Sequence, residues 1–421
     1  MKKIVLDYIL ENWKKTIVVN EKDVPFPYNS PNFDCFIDFY YWDLFFINKG
    51  LLLSNMPEAA ENNIKNMQYF IETLGYVPNS SNKVDIRGLM YKRTQPPVFP
   101  LCVWDLYIFK KDKSIIEKYI NSIIKEHDFF QKRRMTKIGL NAFLCDDQTH
   151  TYQDILGKYN PNEQPNDRRV FDYGKTEAEQ YQINRDLIAM SESGLDFNAR
   201  FKTETKRMAT EEFAHLDLNC WLYLDEMRIS QMFGIIGNEQ KEKEFKDLAE
   251  NRKKLMDKYF YDNGMYKDYR LINGKHSEII TAVNVYPYAM GISNNKEECL
   301  KIVKQLELKC GVAAGAYRPD DEFYHQWDYP VMWGETTYVI YSALLNVGAK
   351  EDADRIAKKY MEVVEKQFEK TGCLWEKYDA RDGSIMNVEY DAPPFMGWTA
   401  STYQIFATQG VDIKDEFIKL S

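Results

Sequence analysis

DLFFINKGLLLSN (residues 43–55) and PEAAENNIKNMQYFIETL (residues 57–74) follow one another with a single residue between them. Apolar residues recur at helical spacing in both segments, and Pro57 stands in the first turn of the second, where proline is favoured. The two segments therefore predict a helical hairpin. The same periodicity continues along the chain and predicts further helices near 97–110, 112–133, 175–190, 217–236, 239–260, 295–308, 333–347, 350–369 and 397–408.

The connections between these helices are alternately short turns and long polar loops, and no alternation of strands and helices suggests a parallel sheet. This pattern predicts an all-α fold, a toroid of helical hairpins formed by one domain over residues 1–421. An open helical solenoid is the alternative, although no sequence repeat of about 34 or 40 residues supports it. Long loops on a rigid frame usually carry function, so we expect an active-site end built from about 78–96, 146–170, 191–200, 311–330 and 376–396.

Composition excludes several functional classes. The 421 residues carry a formal charge of −9, with 44% hydrophobic and 28% charged residues. Such usage argues against wholesale disorder, and an acidic chain without a long basic run is a poor nucleic-acid binder. No apolar run is long enough to span a membrane. The charged N-terminus does not resemble a secretion signal, so we expect a cytoplasmic protein unless a leader has been trimmed away. We also expect a monomer or a weak homo-oligomer.

Cysteine and histidine spacing argues against a metal centre. The seven cysteines are scattered and never form a CxxC pair, and the five histidines show no HxH or HxxxH spacing. In a chain of this length such cysteines indicate buried thiols in a reducing compartment. We expect neither a metal nor a cofactor.

Aromatic residues repeatedly stand beside acids, as in Tyr40-Tyr41-Trp42-Asp43, Trp327-Asp328-Tyr329 and Trp375-Glu376. Sugars present apolar faces that lie against aromatic rings, and hydroxyl groups that carboxylates and amides bind. These clusters therefore predict a carbohydrate site.

Seven loop motifs, in order across residues 39–399, resemble those of glycoside hydrolase family 37, the α,α-trehalases. They are Phe39-Tyr40-Tyr41-Trp42-Asp43; Gly75-Tyr76-Val77-Pro78-Asn79 with Arg93-Thr94-Gln95-Pro96-Pro97; Glu192-Ser193-Gly194-Leu195-Asp196-Phe197-Asn198-Ala199-Arg200; Asp217-Leu218-Asn219; Gln326-Trp327-Asp328-Tyr329-Pro330; Glu376-Lys377-Tyr378-Asp379; and Glu389-Tyr390 spaced from Gly397-Trp398-Thr399. The resemblance implies an (α/α)6 barrel and an inverting hydrolase of a small α-glucoside, with α,α-trehalose as the expected substrate.

The resemblance also assigns residues. Asp196 becomes the general acid and Glu376 the general base, about 6.5–9.5 Å apart as in inverting enzymes. An apolar setting would keep Asp196 protonated, and the neighbouring Lys377 would favour an ionised Glu376. The substrate-binding residues implied are Trp42, Asp43, Asn79, Arg93, Gln95, Arg169, Gly194, Trp327, Asp328, Glu389 and Trp398.

Several positions depart from the family pattern. Cys35 stands where the family carries a substrate-binding arginine, Leu195 replaces a tryptophan, and the glycine-rich lid is shortened to residues 384–388. These departures keep open hydrolysis of another α-glucoside, or of glucosyl- or mannosylglycerate, by a family 63-like enzyme. An inactive sugar-binding relative is a further alternative, which retention of both Asp196 and Glu376 argues against. A helical toroid of the terpenoid-synthesising type is disfavoured, because the sequence contains neither the DDxxD nor the DxDD motif of such enzymes. A purely structural helical scaffold is also disfavoured, because it would leave the loops that pair tryptophan with acids unexplained.

Overall fold

The computed structural model describes residues 1–19, 24–81, 93–145, 160–162, 174–321 and 324–408. The helices of this part are α1 (Lys2–Trp13), α2 (Asp43–Leu53), α3 (Pro57–Leu74), α4 (Phe99–Lys110), α5 (Ser114–Arg133), α6 (Glu177–Ser191), α7 (Leu216–Ile235), α8 (Glu239–Tyr259), α9 (Tyr286–Ala289), α10 (Lys296–Leu306), α11 (Gly334–Asn346), α12 (Lys350–Thr371) and α13 (Gly397–Ala407). The strands are short: β1 (Ile17–Val18), β2 (Tyr28–Asn29), β3 (Phe213–Ala214), β4 (Tyr261–Asp262), β5 (Met265–Tyr266), β6 (Tyr269–Arg270), β7 (Val331–Trp333) and β8 (Lys377–Asp379).

Six helices form a closed inner ring. Each of α2, α4, α7, α9, α11 and α13 packs against the next, and α13 returns to α2. A second helix lies outside each of them: α3 on α2, α5 on α4, α8 on α7, α10 on the 3-10 turn that leads into α9, α12 on α11, and α1 on α13. The predicted (α/α)6 barrel is therefore confirmed, and its last pair joins the two ends of the described chain.

Burial explains which helix of each pair lies inside. The inner helix α2 is buried at every position from Asp43 to Leu52, and all of α13 is buried. The outer helix α12 buries one stripe, which includes Ile356, Tyr360 and Val364. A helix that is apolar on all sides needs a complete protein shell, whereas an amphipathic helix buries one face and leaves the other in water.

Periodicity located every predicted helix to within a few residues, and two helices were missed. α1 buries Val5, Ile9 and Trp13 at a spacing of four, but its many lysines and acids hide this stripe. α9 has only four residues and contains Pro287, so it is too short to show a period.

Helix α6 lies outside the six pairs and leads into the loop 191–200. Thr176 and Glu179 form a reciprocal capping box at its start, which satisfies amides that would otherwise lack partners. Ile183, Leu187 and Met190 pack with Phe197 and Phe201 of the following loop in a small separate core. The loop that carries Asp196 therefore has its own hydrophobic support.

Strands β7 and β8 pair antiparallel, with Trp333 opposite Lys377 and Val331 opposite Asp379. This pairing brings the end of the 311–330 loop beside the segment that begins at Glu376. In the described ranges, no helix is both long and apolar enough to cross a bilayer.

The barrel wall contains a buried acid that links stability to pH. Glu126 of α5 is 1% exposed and accepts a hydrogen bond from Tyr41, and burial raises its pKa to about 8. In the unfolded chain the pKa of a glutamate is about 4.3. Between the unfolded and folded pKa values, Glu126 is protonated in the folded protein and deprotonated in the unfolded chain. Its contribution to the free energy of unfolding is therefore complete below about pH 4 and is lost as the pH rises towards 8.

We therefore expect Glu126→Gln to flatten the decline in stability between about pH 5 and pH 8. Denaturant unfolding at a series of pH values measures the slope, and Glu117→Gln, on the exposed side of the same helix, is the control. An unchanged slope in Glu126→Gln would show that this carboxyl group is not the source.

Candidate active site

A cavity of about 210 Å³ lies where the loops meet. Predicted residues that line it are Trp42, Asp43, Asn79, Gln95, Gly194, Asp196, Trp327, Glu376 and Trp398. The lining is completed by Pro31, Phe36, Tyr40, Gln326, Trp333, Tyr390 and Met396. The structure thus brings both predicted catalytic carboxyl groups, 180 residues apart in sequence, to one site.

Three predicted binding residues lie beside the cavity rather than in its lining. Asp328 is 0% exposed, pairs with Arg318 and accepts the amide of Ala199, so its carboxylate braces two loops instead of facing a sugar. Glu389 accepts the amide of Gln326 at 3.2 Å. Arg93 is buried and is not among the residues that line the cavity. Arg169 lies outside the described residues.

Four indoles form the floor of the cavity. The rings of Trp327 and Trp333 stack with their centroids 3.9 Å apart and an interplanar angle of 5°. The ring centroids of Trp42 and Trp398 lie 6.1 and 6.2 Å from that of Trp327. Gly194 crosses the face of Trp42 with φ +75°, and a Cβ atom there would stand 2.6 Å from the ring. Only glycine meets both conditions, because other residues disfavour this φ and would clash with the indole.

Three hydrogen bonds from other loops fix the backbone of the segment that carries Asp196. Gln326 Nε2 donates to the Asp196 carbonyl at 2.6 Å, and the amide of Trp327 donates to the Phe197 carbonyl at 3.1 Å. The side-chain amide of Asn79 donates to the carbonyl of Ser191 at 3.2 Å. The acid is thereby positioned by residues of two other loops, which favours a fixed catalytic geometry.

Arg200 anchors the end of the same loop. Its guanidinium binds both oxygens of Asp217, at 2.8 and 3.0 Å, and both oxygens of Asp268, at 3.0 and 2.7 Å. All three side chains are at most 5% exposed. Asp217 lies in the first turn of α7, so the loop of Asp196 is tied directly to the inner ring.

Glu192 holds the beginning of that loop. Arg134 donates to its two carboxylate oxygens at 2.9 and 2.6 Å, and the amide of Thr94 donates to it at 3.4 Å. The segment that precedes Gln95 is therefore fixed to the acid's loop. The side-chain Oε1 of Gln95 in turn accepts a hydrogen bond from the backbone amide of Trp42 at 2.9 Å.

Glu376 is 1% exposed and has two neighbours that favour its charge. Lys377 Nζ lies 3.0 Å from Oε2, and the Tyr390 hydroxyl donates to Oε1 at 2.8 Å. The expected ammonium is thus in place. Burial nevertheless outweighs Lys377 and Tyr390, so the pKa of Glu376 lies above its ordinary value.

Asp43, at the start of α2, is a third carboxyl group at the cavity. Burial, together with the negative charges of Glu376 and Asp196, raises the pKa of Asp43 well above its usual range. A protonated Asp43 is able to donate as well as accept a hydrogen bond, which suits a ligand for sugar hydroxyls.

Sequence reasoning gave no role to Gln326, Trp333 or Tyr390. Gln326 joins the two halves of the site, because its side-chain Nε2 donates to the backbone carbonyl of Asp196 and its side-chain Oε1 accepts a hydrogen bond from Lys377 Nζ at 2.8 Å. Gln326 and Tyr390 stand inside quoted motifs, next to residues that were chosen. A rule that considers every polar side chain of a motif would have found them.

The arrangement is suited to proton transfer rather than metal chemistry. Among the residues that the structure describes, no three His, Cys, Asp or Glu side chains are placed to hold a metal ion. The partly buried carboxyl group of Asp196 and the buried, charge-paired carboxylate of Glu376 line one cavity, together with a third carboxyl group, that of Asp43. Two such carboxyl groups provide the acid and the base that glycoside cleavage needs.

Arg200 offers a test of the loop anchor. We expect Arg200→Met to lower the free energy of unfolding by about 3–5 kcal/mol, because two carboxylates remain buried without their partner. Arg355→Met is the matched control: Arg355 also binds two acids, Glu307 and Asp352, but its side chain is 45% exposed, so the expected cost is at most about 1 kcal/mol. Equal losses in the two variants, measured by urea unfolding, would contradict the anchor.

Comparison with known proteins places the chain in a family. The family model described as Trehalase matches residues 11–409. The chain is 26% identical over 362 residues to a trehalase of Arabidopsis thaliana, covering 81% of this chain and 57% of that protein. It is 25% identical over 386 residues to a human trehalase, covering 86% and 64%. The chain therefore spans less than two thirds of the length of these curated relatives.

Solved structures show the same fold. The neutral trehalase of Saccharomyces cerevisiae superposes with a TM-score of 0.73 at 18% identity, over 99% of this chain and 81% of that one. A GH63 mannosylglycerate hydrolase from Thermus thermophilus superposes with a TM-score of 0.66 at 14% identity, over 96% and 100%. At these identities the likeness concerns the barrel alone. The family match over nearly the whole sequence is the more specific result, and by it the chain belongs to the trehalase family.

Proposed function

We propose that the protein is an inverting glycoside hydrolase that cleaves a small α-glucoside, with α,α-trehalose as the first substrate to test. The observation that carries this proposal is that Asp196 and Glu376 line one cavity with four indoles and the polar side chains of Asp43, Asn79 and Gln95. Aromatic faces and hydrogen-bonding amides are what a sugar ring requires. Membership of the trehalase family supports the choice of substrate.

The proposed reaction uses the two carboxyl groups in different states. Asp196 donates its proton to the bridging oxygen while the bond from that oxygen to the anomeric carbon breaks. Glu376 removes a proton from a water molecule whose oxygen forms the new bond to the anomeric carbon from the opposite face. Two sugars leave, and the water supplies both the new hydroxyl group and the proton that restores the acid.

A second candidate is hydrolysis of a glycosyl-glycerate or another α-glucoside. Cys35 stands in place of the family's arginine, next to Phe36, which lines the cavity. Partial burial of the thiol and the charge of Glu376 raise the pKa of Cys35. The positive charge that the family carries at this position is therefore missing, which favours testing substrates other than trehalose.

The test is a hydrolysis screen of trehalose, kojibiose, maltose, glucosylglycerate and mannosylglycerate. The proposal expects trehalose to have the highest kcat/KM. Preference for glucosylglycerate, mannosylglycerate, kojibiose or maltose over trehalose would favour the second candidate. Binding without hydrolysis of any of them would identify an inactive sugar-binding relative and overturn the proposal.

We infer further that residues 1–421 form one catalytic domain acting in a reducing, cytoplasmic compartment. Closure of the inner ring by α13 on α2, with α1 from the start of the chain packed outside α13, supports the single domain. All seven cysteines are unpaired, which is usual where thiols are kept reduced. Full retention of activity and melting temperature in millimolar reductant is the expected result.

A further inference from the structure

The mouth of the cavity is built differently from its floor. Phe36, Tyr40 and Tyr390 all line the cavity, and Phe36 meets the other two rings at 5.9 Å in edge-to-face contacts. We call these three residues the aromatic collar. The floor indoles are 1–6% exposed, whereas Phe36 and Tyr40 are partly exposed and Tyr390 is 38% exposed. The collar therefore lies where the cavity opens to solvent.

The neighbours of the collar are also apolar. Pro31 and Met396 also line the cavity, and the Pro31 carbonyl accepts a hydrogen bond from the amide of Gly397, the residue after Met396. Within the described ranges, no lysine or arginine lines the cavity. Lys377 lies close by, but Tyr390 covers it, with Nζ 3.5 Å from the centre of the ring.

The two ends of the cavity therefore suit different chemical groups. The floor carries the carboxyl groups of Asp43 and Glu376 and the amide of Gln95, which suit the hydroxyl groups of the glucosyl ring that is cleaved. The collar offers ring faces and edges, which suit a flat or apolar group. A leaving group that projects from the floor towards solvent must pass the collar.

We propose that the collar is an apolar leaving-group subsite and that the protein also hydrolyses α-glucosides with aromatic leaving groups. This inference rests on the proposed function, since it uses the same acid and base. In the reaction, water oxygen bonds to the anomeric carbon, the bond to the phenolic oxygen breaks, Asp196 supplies the proton of the phenol, and Glu376 accepts one proton from water.

The test compares two substrates with the same sugar. 4-Nitrophenyl α-glucoside places a ring in the collar, and α-glucosyl fluoride has a leaving group too small to reach it. The wild-type protein is expected to hydrolyse both. Phe36→Ala is expected to lower the ratio of kcat/KM for the aryl glucoside to kcat/KM for the fluoride about tenfold, because stacking and apolar burial are lost.

The matched control is Phe33→Ala. Phe33 is 36% exposed, stacks on Phe395 at 5.5 Å and does not line the cavity, so its loss is expected to keep the ratio. Melting curves check that both variants fold. Hydrolysis of the fluoride without hydrolysis of the aryl glucoside, or equal ratios in the two variants, would overturn the collar but leave the proposed function intact. Failure to hydrolyse these two substrates while trehalose is cleaved would overturn the collar alone, and failure to hydrolyse them and every glycoside of the earlier screen would overturn both.

Discussion

Asp196→Asn is expected to reduce hydrolysis of trehalose by at least about 10²–10⁴-fold while leaving the fold intact. The asparagine has nearly the same shape, and the hydrogen bonds that the backbone carbonyl oxygens of Asp196 and Phe197 accept do not depend on the substituted group. The loss would therefore report the missing proton. Steady-state kinetics and a melting curve measure the two effects separately.

Asp320→Asn is the control for this variant, because Asp320 is exposed on a loop near the same end of the barrel. The role of Asp196 as an acid makes a further demand. A leaving group that needs no protonation, as in α-glucosyl fluoride, should lose much less rate in Asp196→Asn than trehalose does. More than about a tenth of the wild-type trehalose rate in the variant would remove Asp196 from the role.

Glu376→Gln is expected to abolish turnover of trehalose and of α-glucosyl fluoride alike, because both need an activated water whatever the leaving group. Glutamine keeps an oxygen for the Tyr390 hydroxyl but loses the charge that pairs with Lys377. Substrate binding, measured by calorimetry, should persist. Retained turnover of the fluoride would contradict the assignment of Glu376 as the base.

The pH dependence of the wild-type rate follows from the same carboxylate. A general base acts when deprotonated, so kcat/KM should rise with pH through the raised pKa of Glu376. Tyr390→Phe keeps the ring of the collar but removes the hydroxyl that donates to Glu376. Loss of that donor disfavours the carboxylate, so the acid limb should move to higher pH. A limb that moves to lower pH would contradict the account.

The helices of the barrel were predictable because their signal is local. In α3 the apolar spacing predicts the helix, and Pro57 predicts its first residue. The inner position of α2 is also visible in its two apolar stretches, residues 44–47 and 51–53, which leave no polar face along the helix apart from Asn48 and Lys49. The four residues of α9 offer no period, and their place in the inner ring depends on contacts with α7 and α11.

The candidate site was predictable only as far as motifs reach. The sequence does not tell which of two adjacent motif residues faces the cavity. Trp327 lines it, whereas the carboxylate of Asp328 pairs with Arg318 instead. Lys377 was expected to favour an ionised Glu376, and the contact is present. The opposing effect comes from burial by segments distant in sequence, which the local pattern does not show.

Stereochemistry tests the central claim most directly, because it depends on the arrangement of the two carboxyl groups and not only on their presence. If Asp196 protonates the bridging oxygen while Glu376 directs water to the opposite face, cleavage of α,α-trehalose must release one unit first as β-glucose. Proton NMR of the anomeric signals during the first minutes, before mutarotation, reads this result. Equal initial amounts of α- and β-glucose are expected, one from each half of the substrate, and initial release of α-glucose alone would mean retention and contradict the account.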